Sequence, residues 1–191
     1  GESAGLRGSV RDPSAQPIAG AEVSLRMLGE RLRATTGRDG SFRFDGLAVG
    51  PVDWWVSSDG FVSRNGTIEV DSVGASQEPS TLPIVLQPLV PMRGRLLDDA
   101  GEPLGGWFVN LHAKLPGWSS DRRQGRTEVD GQFEVLVRSD RAYDLHVRES
   151  DAGPLIAPPG FRAVRVADSP LEVVVAAALR PSSFVTLRLV D

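Results

Sequence analysis

The sequence predicts an all-β chain built as two tandem antiparallel β-sandwiches, and three observations carry that prediction. Apolar residues alternate with polar ones through most of the apolar segments, the period of a strand with one buried face. Glycine (21) and proline (14) fall between those segments, as tight turns between short strands require. The pattern then occurs twice along the 191 residues, so one supersecondary plan is used in tandem.

The elements follow in order. Leu6-Arg7-Gly8-Ser9-Val10-Arg11-Asp12 opens the first copy, and Pro17-Ile18-Ala19-Gly20 is turn punctuation after it. Val23 and Leu25 mark the next strand. Asp39-Gly40 stands before Phe42 and Phe44 and predicts a tight hairpin, because the pair supplies positive φ values. Val52, Trp54 and Val56 alternate in a further strand, Gly60-Phe61 follows, and residues 82–88 close the copy. The second copy begins at Met92-Arg93-Gly94-Arg95-Leu96-Leu97-Asp98. Its Gly94, Pro103, Val109 and Leu111 match the first copy at an offset of 86. Asp130-Gly131 and Phe133, then Tyr143, Leu145 and Val147, match at 91, which places a five-residue insertion around residues 116–122. Gly160-Phe161 matches at 100, so nine more residues enter around 151–159. Residues 171–179 are the one ambiguous apolar run; their β-branched content favours a strand. The organisation expected is residues 1–88, then 89–181, then 182–191 as the first strand of a truncated third copy. Val23, Leu25, Phe42, Phe44, Trp54 and Val56 are the expected first core; Val109, Leu111, Phe133, Val135, Leu145 and Val147 are the second.

Composition removes several classes of function. The hydrophobic fraction of 40% and charged fraction of 24% are those of a globular chain. A net charge of −4 gives no basic footprint for nucleic acid, and no apolar run reaches the ~20 residues of a membrane span. Without cysteine there is no disulfide framework, thiol catalysis or thiolate metal site. Lys114 is the single lysine beside 20 arginines. Residues 1–5 carry no signal-peptide pattern, and the chain is expected to be a piece of a longer protein.

Taken together, Gly8-x-Val10-x-Asp12, Pro17-Ile18-Ala19-Gly20-Ala21-x-Val23-x-Leu25 and Thr36-x-x-Asp39-Gly40-x-Phe42-x-Phe44-x-Gly46-Leu47 resemble the carboxypeptidase regulatory-like domain family. The resemblance covers nearly all of the first copy. The second keeps Gly94, Asp98, Pro103, Gly105 and Asp130-Gly131-x-Phe133 but lacks the Gly-Leu step. It implies a transthyretin-like, Ig-like β-sandwich of about seven strands. It also implies a non-catalytic, extracytoplasmic module of a surface, secreted or periplasmic protein. A related group of stalk domains crosslinks lysine to asparagine. The first copy has no lysine for that, and Lys114 follows the Val109–Leu111 strand of the second.

Candidate chemistry is thin. His146-x-x-Glu149 has the spacing of two zinc ligands, but the other histidine, His112, lies upstream, and positions 146 and 149 of a strand face opposite ways. His146 is read as part of a solvated strand face. No Gly-x-Ser-x-Gly elbow is present. Asp39 and Asp130 offer one carboxylate per turn, far short of a calcium shell, and Asp98, Asp99 and Glu102 are read as solvated turn residues. No catalytic residue, metal ligand or cofactor is assigned.

Alternation puts Trp54 inward and Trp55 outward with Asp53 and Ser57. An outward indole calls for a cover, either a neighbouring domain or a ligand such as a sugar ring. Trp118, at the expected loop tip beside Arg122 and Arg123, is the second ligand-contact candidate. The function expected is a non-enzymatic structural or interaction module, a stalk or spacer. A carbohydrate- or peptide-binding module using Trp55 or Trp118 is the alternative. Expected partners are neighbouring domains of the parent protein, with a glycan or surface protein as the further class; nucleic acid and membrane insertion are not expected.

Overall fold

A computed structural model describes residues 4–71, 79–114 and 120–176. The chain divides into two compact units, Gly1–Leu89 and Val90–Asp191.

The first unit begins with β1 (Ala4–Arg11), β2 (Glu22–Met27), β3 (Glu30–Thr35) and β4 (Ser41–Leu47). It continues with β5 (Gly50–Ser57), β6 (Arg64–Val70) and β7 (Ser80–Val85). They form two sheets, ordered β4-β1-β7 and β3-β2-β5-β6. Alternation along each strand turns one face of each sheet inward, and Leu6, Val10, Val23, Leu25, Phe42, Phe44, Val52, Val56 and Ile84 make the core between them. All pairs are antiparallel except β1 with β7, which run parallel in the register Leu6↔Ser80.

The second unit begins with β8 (Val90–Asp98), β9 (Phe108–Lys114) and β10 (Ser120–Arg126). It continues with β11 (Gln132–Val137), β12 (Asp144–Arg148), a 3₁₀ turn (Val166–Asp168) and β13 (Leu171–Val175). Its sheets are β11-β8-β13 and β10-β9-β12, and β8 pairs with β13 in parallel as β1 does with β7. Where β6 flanks β5 in the first unit, an irregular segment flanks β12, bridged at Val147↔Ile156 and Tyr143↔Val164. The core holds Met92, Leu96, Val109, Leu111, Phe133, Val135, Tyr143, Leu145, Val147 and Val173.

Three details differ from the sequence-based expectation. The Asp39-Gly40 turn does not close a hairpin: β3 lies in one sheet and β4 in the other. Gly40 is needed at φ +76 because the turn presses on β1, where a Cβ would stand 2.5 Å from the Val10 carbonyl oxygen. Asp130-Gly131 crosses between sheets in the same way, with Gly131 against the Leu96 carbonyl. Alternation cannot reveal this, since it reports which face is buried and not which sheet a strand joins. Next, Trp54 is half-buried at the margin of the core rather than inside it. Its indole packs against the core edge and lies over Gly66 of β6, where a Cβ would stand 2.8 Å from the ring. Finally, Arg122 and Arg123 belong to a strand, β10, and not to a loop. Trp118 and residues 182–191 lie outside the described residues.

Each unit is tied by a buried threonine. Thr36 Oγ1 donates to the Ile18 carbonyl (2.7 Å) and accepts from the Ala21 N–H (2.8 Å). Thr127 Oγ1 donates to the Leu104 carbonyl (2.6 Å) and accepts from the Trp107 N–H (2.9 Å). The connector after β7 belongs to the first unit. Leu86 is in its core, Val62 N–H donates to the Gln87 carbonyl and Leu89 N–H donates to the Gly60 carbonyl. Val90, the next residue, already starts β8.

Candidate functional site

On the first unit the outward face of the four-stranded sheet gathers polar side chains around one indole. Registers Ser24↔Arg33, Ser24↔Trp55 and Trp55↔Asn65 set one row across the sheet: Arg33, Ser24, Trp55, Asn65. Arg26↔Arg31, Arg26↔Asp53 and Asp53↔Thr67 set the next: Arg31, Arg26, Asp53, Thr67. Trp55 is 50% exposed, while Ser24 beside it is only 8% exposed. The Thr67 hydroxyl donates to Asp53 Oδ1 at 2.8 Å and fixes that carboxylate. A shallow hollow of about 340 Å³ lies over these rows. Its make-up is a flat aromatic platform rimmed by donors (Arg26, Asn65) and an acceptor (Asp53). That combination suits a ligand with one apolar face and peripheral hydroxyls.

Of the other sequence-predicted site residues, Trp118 lies outside the described residues, and Arg122 and Arg123 do not converge. Arg122 and Arg123 are consecutive on β10 and therefore point to opposite faces. Arg123 turns toward the interior side and holds Asp121 Oδ1 at 2.8 Å. Asp121 Oδ2 in turn accepts the Tyr143 hydroxyl at 2.7 Å, and the Arg138 N–H donates to the same hydroxyl at 3.1 Å. Tyr143 is buried, and burial together with the bond to Asp121 pushes its phenol up to about 12. This network clips β10 to the segment between β11 and β12 from inside and makes Arg123 a structural residue. Sequence reasoning missed it, because Asp121 and Tyr143 meet across 22 positions with no local signal. Arg122 lies on the opposite, exposed face, across from His112.

His146 is not a solvated residue but half-buried, tilted against His112 with ring centroids 5.3 Å apart. Burial is the main cause holding His112 below the usual histidine value, with His146 and Arg122 adding to it. Among the described residues no group of three or more metal-ligating side chains comes together. The turn aspartates are occupied locally. Asp98 Oδ1 accepts the N–H groups of Ala100 and Glu102, as Asp12 Oδ1 accepts those of Ser14 and Gln16. The Ser41 hydroxyl and N–H donate to Asp39 and hold its carboxyl below the ordinary range.

Residues 5–87 match the model of the carboxypeptidase regulatory-like domain. No curated protein matches the chain in sequence. Among solved structures it is similar to a streptococcal ancillary pilin (TM-score 0.50, 12% identity), covering 92% of this chain and 62% of the pilin. It also aligns with a shaft pilin, spaA, from Lactobacillus rhamnosus GG (TM-score 0.43, 9% identity, 91% and 98% of the two chains). A 3-chlorocatechol 1,2-dioxygenase from Rhodococcus opacus 1CP aligns over less (TM-score 0.38, 13% identity, 46% and 61%). At 12% identity the likeness to the ancillary pilin is one of fold. The chain spans less than two thirds of the ancillary pilin's length.

Proposed function

Starting from residues 5–87 as a carboxypeptidase regulatory-like domain, we propose that the chain is a non-enzymatic spacer with two modules. It belongs to a larger bacterial surface, secreted or periplasmic protein, and its second unit is a diverged copy of the first. The observation that carries this reading is the junction. Leu89 is hydrogen-bonded into the first unit and Val90 is the first strand residue of the second, so no slack chain separates them. A module built to set distance needs such a junction, and Pro88 and Pro91 stiffen it further. Its partners on this reading are the neighbouring domains of the parent protein. The pilin-like fold is compatible with that role. Inserting Gly-Ser-Gly between Leu89 and Val90 tests it: small-angle scattering is expected to report a wider spread of conformers in the insertion variant, with both units still folded. An unchanged profile would overturn the reading.

The Trp55 face favours a second role carried on the same module, contact with a glycan. Trp55→Ala is expected to abolish binding on a glycan array while leaving the unfolding free energy within about 0.5 kcal/mol of wild type, as for exposed surface substitutions. Equal array binding by wild type and variant would remove the glycan from the account.

A further inference from the structure

The outward face of the β10-β9-β12 sheet is a regular grid. Across it run three rows: Arg122, His112, Asp144; then Gln124, Asn110, His146; then Arg126, Phe108, Arg148. Three arginines stand against one carboxylate, on a chain whose net charge is −4. Asp144 is engaged by the Ala163 N–H at 3.0 Å. Arg148 pairs with Asp151 and stacks on Phe108, whose ring also carries Arg126. Arg122 forms no ion pair with any described residue and is exposed. Beside His146 a cleft of about 530 Å³ opens between β12 and residues 157–162, bringing Arg162 to the same rim.

The middle of this grid is short of acceptors. Asn110 is 8% exposed, and its Nδ2 has no hydrogen-bond partner among the described residues. Neither has His146 Nδ1 directly across from it, nor Arg148 Nε in the next row. Asn110 Nδ2 and Arg148 Nε are donors in every protonation state, and His146 Nδ1 becomes one on protonation. Buried donors are ordinarily paired, so Asn110 Nδ2 and Arg148 Nε, both closed off from solvent and without acceptors among the described residues, mark a place that an external oxygen completes once these side chains turn outward.

We propose that this face binds an acidic glycopolymer through its carboxylate or phosphate oxygens, with Arg122 and Arg126 as outer charges and Asn110 and His146 as the inner contacts. A repeating anion fits better than a single small one. Arg122 and Arg126 are four residues apart on one strand, about 13 Å, and Arg162 extends the positive rim beyond β12. Guanidinium groups match the planar oxyanions. The titratable and charged groups facing the histidines are Arg122, Arg126, Asp144, Arg148 and Arg162.

The two histidines are the only ones in the chain, so their ring resonances report on this face alone. The 191-residue chain is titrated by NMR with a galacturonic acid hexamer, with a glycerol-phosphate oligomer and with a neutral hexasaccharide. Saturable shifts of both histidines with the first probe identify a carboxylate ligand, and with the second a phosphate ligand. Arg122→Gln, at an exposed position, is expected to weaken that binding about tenfold, the worth of one charge-assisted hydrogen bond. Asn110→Leu is expected to lose binding while keeping the unfolding midpoint, since it removes an unpaired donor and keeps the volume. The proposal is overturned if neither acidic probe moves the histidines, if the neutral sugar moves them equally, or if Arg122→Gln binds as wild type.

Discussion

Gly8 and Gly94 occupy the same place on the first strand of each unit, and each is required by a phenylalanine. A Cβ on Gly94 would stand 2.5 Å from the Phe133 ring and 2.6 Å from the Leu171 carbonyl oxygen; on Gly8 it would meet Phe42 at 2.2 Å and the Leu82 carbonyl at 2.4 Å. The ring could turn, but the carbonyl of the parallel neighbour strand cannot. Gly94→Ala is therefore expected to cost about 1–3 kcal/mol, as overpacking does, measured by urea unfolding. Gly5→Ala, with nothing closer than 3.5 Å, is the control and stays near wild type. Tyr143 gives a second residue-scale test, because it is the single tyrosine. Its folded-state pKa of about 12 lies above the free phenol value of 10.0. The unfolded chain thus loses its proton first, so the stability this group contributes is complete below pH 10 and is lost as pH rises through about 12. Phenolate absorbance is expected to appear near pH 12 in the folded chain and near 10 in denaturant; coincident curves would contradict the buried bond to Asp121.

At the scale of elements, the cores were legible and the sheet partners were not. Val23, Leu25, Val56, Val109, Leu111 and Val147 are buried where alternation puts them, since one buried face per strand is a property of the strand alone. The half-exposure of Trp54 depends on a glycine in another strand, and the His112–His146 contact depends on the register between β9 and β12. Neither leaves a trace within a single segment. Thr36 and Thr127 stand between these cases: both copies carry the residue, but its pair of hydrogen bonds to the segment before β2 or β9 appears only in three dimensions. Each clips the turn segment of its unit to the start of the second strand. Thr36→Val and Thr127→Val keep shape and β propensity while leaving a buried N–H and carbonyl unpaired. Each is expected to cost about 1–3 kcal/mol in thermal unfolding, and Ser at either position to recover most of it. A Val variant as stable as wild type would show that the hydroxyl does not hold the segment.

For the whole molecule, the strand plan shared by the two units explains why so much was readable and where reading stopped. Matched positions such as Val85 and Val174, Asp12 and Asp98, or Ser24 and Asn110 repeat a scaffold. The scaffold then carries different outward chemistry, an indole at position 55 of one unit and an imidazole at 146 of the other. The spacer reading rests on the junction, and the absence of cysteine allows a direct measurement of it. Val85 and Val174 are 40% and 43% exposed on strands of the two units, so Val85→Cys and Val174→Cys can carry a pair of spin labels. Pulsed electron–electron double resonance on this pair is expected to give one narrow distance distribution, broadened by Gly-Ser-Gly between Leu89 and Val90. A broad distribution in the uninterrupted chain, no wider after the insertion, would contradict the account of a module that fixes distance.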